Sequence, residues 1–520
     1  MRITLSAEGT YPHQFGGVSV WCDQLVRALP GYDFSVVALV ATGAEPVAWQ
    51  LPPNVTGLTT IPLWGPPPGR PGPSWREHGW RGLSWREHGR GVPAPVRALI
   101  AGLLDAPPPG TRATGARQGG VPAGDLGQVL REVSEFAARH SLHAALSADA
   151  AVRLLCEWWR ERWPATPATA GAQAPTLHDA ATALQFVEHA LRPLSTPPVR
   201  ADLTHVVTNG LGALPALAAK WRYGTPLVVS EHGVYLREQY LHLRRPPFGW
   251  PVKELYLRFL GEVCALGYRE AELIIPGNVY NRRWETQLGA DPARIRTVYN
   301  GVSPADFPLL AREPDEPVIA WVGRIDPIKD LETLLRAHAI VTREMPGTKL
   351  RIFGAPARGQ EPYLRQCEEL ASDLGIADTT TFEGRVPDVL DAYAAGTIVV
   401  LCSISEGFPY SLIEAMTCGR ACVATDVGGV SEALAEGAGL VVPPRDPAAL
   451  AGGCLRLLRD PVVRATFGAA ARRRALEHFT AEAATDTFDE IYAMVGTRAV
   501  TTIRSGEKGL SPVATEGEPV

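Results

Sequence analysis

In the second half of the chain the apolar residues gather into short unbroken runs, most of them followed by a stretch with helical spacing. "VIAWVG" (318–323) is followed by Leu331, Leu334, Leu335 and Val341, which share one helix face. "LRIFG" (350–354) leads into "YLRQCEELASDLG", "IVVLCS" (398–403) leads into "YSLIEAMTCG", and "ACVAT" (421–425) and "GLVVPP" (439–444) complete the series. Strands that are apolar throughout, alternating with helices, predict a parallel sheet covered on both faces. Such a doubly wound α/β domain gathers ligands at the carboxyl ends of its strands.

The first half repeats the scheme less regularly. "RITLSAE" (2–8), "FSVVALV" (34–40), "LTHVVT" (203–208), "PLVVSE" (226–231) and "ELIIPG" (272–277) read as strands of a second α/β domain. A Pro/Gly-rich insert at about 65–124 interrupts it and carries a direct repeat, "SWREHG" at 74–79 and again at 84–89. Two short copies are too few for a solenoid, so a duplication in a surface loop outweighs a binding role for His78 and His88. The Pro/Thr/Ala stretch 164–175 reads as a linker between helices, and the tail 497–520 reads as disordered.

Composition narrows the classes. At 520 residues the chain is too long for one ordinary core. Two domains of about 200 residues or more fit it. Hydrophobic residues make up 46% and charged residues 20%, as in soluble globular proteins, and a net charge of −5 gives no electrostatic case for nucleic acid. The start, "MRITLSAEGTYPHQ", lacks the apolar core of a signal peptide, and runs such as "TIVVLCSI" are too short to span a bilayer. A cytoplasmic protein is expected. The eight cysteines lie scattered in apolar settings without a CxxC pair, which predicts reduced core thiols rather than zinc.

Four stretches carry candidate chemistry. In "SISEGFPYSLIEAM" (403–416), Glu406 directly follows a strand, Gly407 and Pro409 mark a tight turn, and Glu414 lies about one turn into the next helix. A helix N-terminus at a strand end attracts anions, Glu414 is a suitable acceptor for a vicinal diol, and Glu406 could accept from sugar hydroxyls. In "GRIDPIKD", Arg324 and Lys329 would neutralise a diphosphate, while pairing of Lys329 with Asp326 or Asp330 at a solvated helix start is the structural alternative. In "HQFGGVSVWCDQL", Gly16 and Gly17 would let backbone approach a phosphate or sugar, or serve a turn needed only for packing. In "SEHGVYLREQY", His232 sits at a strand end beside Glu231.

Together "GGVSVW", "SEHGVYLRE", "YNGV", "GRIDPIKD", "FEGRVPD" and "SEGFPYSLIEAMTCGRACVATDVGG" resemble the retaining GT-B glycosyltransferases of family 4, whose hallmark is a Glu-x7-Glu pair. "SEHGVYLREQY", with a long helical insertion before it, is similar to the PelF (Pel exopolysaccharide) type of that family. The resemblance implies two Rossmann-like domains facing a cleft: an acceptor-side domain at 1–300, a nucleotide-sugar domain at 301–480, and a crossover helix at 481–496 returning to the first. It implies that Gly16 and Gly17 approach the donor, and that Arg324 and Lys329 hold the diphosphate. Glu406, with the Gly407 and Phe408 backbone, would bind the sugar and Glu414 the ribose. Arg385 and Val386 would frame the base, and His232 would lie near the reacting carbon. The donor it suggests is a UDP-sugar such as UDP-glucose, the acceptor a glycan or polysaccharide, and membrane-bound export or synthase subunits are partners to consider. No Asp-x-Asp occurs, so metal-independent chemistry without a cofactor is expected. Two rival classes are a non-catalytic nucleotide-sugar-binding subunit of a polysaccharide machine and a nucleotide-sugar 2-epimerase.

Overall fold

The computed structural model describes residues 1–65, 91–106, 125–163, 174–244, 248–356 and 359–507. Both SWREHG copies and most of the 164–175 stretch lie outside the described residues. Among the described residues, twelve strands form two sheets. The first sheet holds β1 (Arg2–Glu8), β2 (Asp33–Val40), β3 (Val55–Pro62), β4 (Leu203–Val206), β5 (Leu227–Glu231) and β6 (Leu273–Pro276). The second holds β7 (Val318–Val322), β8 (Lys349–Phe353), β9 (Thr380–Gly384), β10 (Ile398–Leu401), β11 (Ala421–Thr425) and β12 (Leu440–Val442).

The sheet orders are β3-β2-β1-β4-β5-β6 and β12-β11-β10-β7-β8-β9. Both are parallel, and both wind the same way: the first strand is central, two successors lie on one side and three on the other. Such an order has its switch point between the first and fourth strands, where carboxyl-end loops diverge and a crevice opens. In the second sheet that point lies between β7 and β10, which pair through Ile398↔Ile319 and Val400↔Trp321. The two Rossmann-like α/β domains expected from the apolar pattern are therefore present.

Ten of the twelve strands follow the apolar runs. β3 and β9 do not, because each is a sheet edge whose residues are mostly half-buried or exposed, so neither carries an unbroken apolar run.

Inside the insert at 65–124 the expectation of a surface loop is corrected. Helix Ala94–Asp105 buries Val96, Leu99, Ile100 and Leu103 completely, and these join Val37, Leu39 and Ile61 of the first sheet in one core. The spacing of those four residues is one helical stripe, and it fills space beside the sheet that a loop would leave to water.

The chain divides into two compact units: residues 1–275, 284–295 and 489–520 form one, and 276–283 with 296–488 form the other. Helix Ala481–Glu507 runs from the second grouping into the first, and its helical backbone continues to 507, through part of the tail expected to be disordered. In the first unit it is tied to the sheet by Tyr32 Oη donating to Asp489 at 2.5 Å and by a 2.6 Å bond between Tyr492 Oη and His205 Nδ1. All eight cysteines are buried and free, as their apolar settings predict. Among the described residues no helix is long and apolar enough to cross a membrane.

Candidate functional site

The second unit places the Arg324, Lys329, Glu406 and Glu414 motifs on the carboxyl-end side of its sheet. β7 ends at Val322 and β10 at Leu401, so the loops carrying Arg324 and Glu406 leave the sheet at the switch point. They are laced together by Ile404 N donating to Ile328 O at 2.8 Å and by Cys402 Sγ donating to Lys329 O at 3.0 Å. Lys329 then pairs with neither Asp326 nor Asp330. Its Nζ donates to Glu406 Oε1 at 2.5 Å, and the two side chains are only 22% and 10% exposed. Partial desolvation makes this attraction stronger than that of a surface pair.

Each aspartate has another task. Asp330 takes a left-handed backbone (φ 52°) and caps helix Leu331–Glu344 through Thr333 N at 3.4 Å and Thr333 Oγ1 at 2.7 Å. Asp326 accepts from Ile328 N at 3.1 Å and stands 3.7 Å from the Nε of Arg324, whose side chain is 54% exposed. Arg324 is thus lightly held and open to an anion.

Glu406 is further fixed by Ser403, fully buried, whose hydroxyl donates to the same Oε1 at 2.6 Å. Oε2 is left for other donors. Two glycines set the loops. At Gly428 (φ 56°) a Cβ would lie 1.9 Å from Glu406 O, and at Gly354 (φ 139°) one would lie 1.7 Å from Gly323 O, next to Arg324. Both positions need the left-handed backbone and the missing side chain together.

Helix Tyr410–Thr417 follows with Pro409 at its N-cap. The Phe408 ring points into the core against Tyr299 and Phe479, so only its backbone is available to a ligand, and its carbonyl already accepts from Asn300 Nδ2 at 3.1 Å. The Gly407 carbonyl likewise accepts from Gly429 N at 2.8 Å. Glu414 is half-buried; burial raises its carboxyl above the usual range, while a hydrogen bond from the Tyr393 hydroxyl to Oε2 pulls it back. Arg385 is exposed just past the carboxyl end of edge strand β9, and Val386 beside it packs on the core.

Gly16, Gly17 and His232 belong to the first unit. Gly16 is extended, at the N-cap of helix Gly17–Ala28, and a Cβ there would meet nothing within 4 Å. Packing therefore does not demand a glycine at 16, and the open space over this backbone suits a ligand. His232 lies edge-on to Trp21, with ring centroids 4.7 Å apart. Beside it, Glu231 is fully buried at the end of β5, accepts from the Tyr268 hydroxyl and from Tyr235 N at 3.5 Å, and has its carboxyl pushed up to about 8 by desolvation. His205, buried between Tyr492 and Ser230, is pushed down to about 3, by desolvation first and then by His232.

Ser403, Tyr393, Gly354 and Gly428 were not singled out from the sequence. Ser403 sits inside the Glu406 motif, three positions before the carboxylate, and the glycines stand in short Gly-bearing turns after strands. Nothing local marks Tyr393, which meets Glu414 only through the fold. Among the described residues no group of three or more His, Cys, Asp or Glu could hold a metal ion.

Comparison with known proteins adds the lineage. Residues 1–293 match the family model described as a domain of unknown function (DUF3492), and residues 303–474 match that of glycosyl transferases group 1. The chain is 36% identical over 193 residues to the D-inositol 3-phosphate glycosyltransferase of Acidothermus cellulolyticus, covering 34% of this chain and 43% of the relative. It is 31% identical over 292 residues to that of Saccharomonospora viridis, covering 53% and 66%. The chain spans about half the length of the curated relatives it matches. Among solved structures it is similar to Anabaena HepE in complex with UDP-glucose (TM-score 0.55, 15% identity, 97% of this chain and 100% of that one). It is also similar to sucrose-phosphate synthase from Thermosynechococcus elongatus (TM-score 0.58, 18% identity, 96% and 99%). At these identities the likeness shows the GT-B fold. The chain belongs to the DUF3492 family, and its second unit is a glycosyl transferases group 1 domain.

Proposed function

We propose that the chain is a retaining, family 4 type hexosyltransferase of the cytoplasm that moves a sugar from UDP-glucose or a similar nucleotide sugar to a glycan or polysaccharide acceptor. The observation that carries this reading is the Lys329–Glu406 pair at the switch point of the second sheet, with Arg324 open beside it. A diphosphate entering there would share Lys329 with Glu406 and engage the Arg324 guanidinium. Glu406 would take sugar hydroxyls on Oε2, Glu414 the ribose diol, and Arg385 and Val386 would flank the base. By the family resemblance, Gly16 and Gly17 would approach the donor phosphate and sugar, and His232 the donor sugar near the reacting carbon.

In the transfer step the bond from the anomeric carbon to the phosphate oxygen breaks, and the acceptor oxygen bonds to that carbon from the same face. The acceptor proton passes to the departing phosphate. Negative charge grows on the leaving diphosphate, so fixed cations stabilise the transition state more than the ground state. The reading gives this task to Arg324 and Lys329 rather than to a metal ion. The curated relatives' names support sugar transfer, and HepE was solved with UDP-glucose bound.

Calorimetric titration with UDP, GDP and ADP, without added metal, tests the donor side, with Glu414→Ala as control. Selective UDP binding that weakens in the variant supports the reading. A preference for GDP or ADP replaces the donor, and no binding by any nucleotide sinks it. Product analysis with UDP-sugars then separates a transferase from an epimerase or a non-catalytic binder. Co-purification with membrane-bound polysaccharide export or synthase subunits would test the partners that go with a polysaccharide acceptor.

A further inference from the structure

We propose that Tyr393 is a positioning residue: its buried hydroxyl holds one carboxylate oxygen of Glu414 so that the other is presented to a vicinal diol of the ligand. The inference rests on the nucleotide-sugar reading above. Tyr393 is fully buried on helix Val389–Ala394 and donates to Glu414 Oε2. Its own position is locked. Its carbonyl accepts from Arg420 Nε at 3.0 Å, and Arg420, 3% exposed, also donates to Arg312 O at 2.7 Å. Its ring lies edge-on to Phe307 at 6.2 Å.

Oε1 of Glu414 has no protein partner among the described residues. A carboxylate free to rotate would present either oxygen and lose side-chain entropy on binding a diol. One held by a buried phenol is already oriented, and a hydrogen bond to the charged form keeps it ionised. The other titratable or charged groups around the pair are the Cys418 and Cys422 thiols and the guanidiniums of Arg420 and Arg472. Burial pushes both thiols up to about 12, so they stay neutral, and Arg472 donates to Thr417 O. Burial likewise carries the phenol well above its ordinary value, so Tyr393 remains a donor throughout the working range.

Protonated Glu414 accepts a diol poorly, so affinity should fall as pH drops through its pKa. Removing the Tyr393 donor raises that pKa, and the acid-side fall should begin at higher pH.

The test is UDP titration of the full chain between about pH 5 and pH 8 for wild type, Tyr393→Phe, Glu414→Gln and the double variant. Tyr393→Phe should weaken UDP binding about tenfold at neutral pH and move the acid limb to higher pH. In the Glu414→Gln background the same change should cost nothing further. Unchanged affinity and acid limb in a folded Tyr393→Phe, or losses that simply add in the double variant, overturn the proposal while leaving the nucleotide site standing. If Tyr393→Phe does not fold, Glu414→Gln decides alone: a flat acid limb supports the proposal and a retained one overturns it. A wild-type chain that binds no nucleotide removes the parent reading and this inference together.

Discussion

Lys329 and Glu406 neutralise each other in a partly buried loop, and the functional weight of each depends on keeping the other in place. Lys329→Ala should lower transfer at least tenfold, about 1.4 kcal/mol, because it removes charge opposite the leaving group. Near-wild-type kinetics would take Lys329 out of the mechanism. Ser403→Ala leaves that ion pair but frees Glu406 Oε1 from its second donor at 2.6 Å. Losing such a bond costs about 1 kcal/mol, so kcat/KM should drop several-fold while the melting temperature falls by about 2–4 °C, and unchanged kinetics would make Ser403 a packing residue only. Gly428→Ala meets both a left-handed backbone and a carbonyl 1.9 Å from the new Cβ. Denaturant unfolding should show a loss of about 1–3 kcal/mol, together with weakened donor binding, since the Glu406 loop must shift. At this scale the residue types of the site were legible, because Glu406, Glu414, Arg324 and Lys329 stand in spaced motifs. Their partners were not. Lys329 and Glu406 are 77 positions apart, and no local pattern says that they meet rather than Lys329 and Asp326.

Helix Ala94–Asp105 shows how an element can hide inside a misleading composition. The surrounding Pro and Gly suggest a loop, yet four apolar residues at helical spacing build part of the first core. Leu99→Ala should destabilise the first unit by about 2–5 kcal/mol in denaturant unfolding, as expected for a fully buried leucine, and a value near zero would return the helix to the surface. Removing 66–122, which takes this helix out, should abolish folding of that unit. The end of β5 gives a prediction with a pH sign. Glu231 binds its proton up to about pH 8 in the folded chain against 4.5 for the ordinary group. Between those values the folded state holds the extra proton, so this residue's contribution to stability falls as pH rises. Glu231→Gln should therefore gain about 1–3 kcal/mol over wild type near pH 8 and little near pH 5, read from chemical unfolding at both. An equal effect at both values would mean that the carboxyl is not titrating in that window.

The two units have separate hydrophobic cores, one built from residues between Val37 and Ile295 and the others from residues between Val302 and Phe479. Calorimetric unfolding should accordingly show two transitions. Saturating UDP should move only one of them, by the equivalent of about 2.7 kcal/mol at a hundredfold excess over Kd. A single transition displaced as a whole would mean that the units unfold together. The doubly wound α/β class was readable from the chain alone, since a strand buried on both faces must be apolar at successive positions, and that constraint is written locally in ten of the twelve strands. The cysteine state was readable for a similar reason: a thiol embedded in an apolar run is buried wherever that run goes. β3 and β9, two of the four sheet edges, escaped because Thr, Gly and Glu at their half-buried and exposed positions break the apolar run. Strand order lay beyond local pattern altogether. Setting β10 beside β7 rather than beside β9, its predecessor in the chain, brings Ser403, Glu406 and Lys329 together. Likewise, only the packing of helix Val389–Ala394 against β7, some seventy positions earlier in the chain, delivers the Tyr393 hydroxyl to Glu414. An apolar run is a property of each residue and its near neighbours in sequence, whereas the pairings of Lys329 with Glu406 and of Tyr393 with Glu414 join separate elements, which the three-dimensional fold alone brings together.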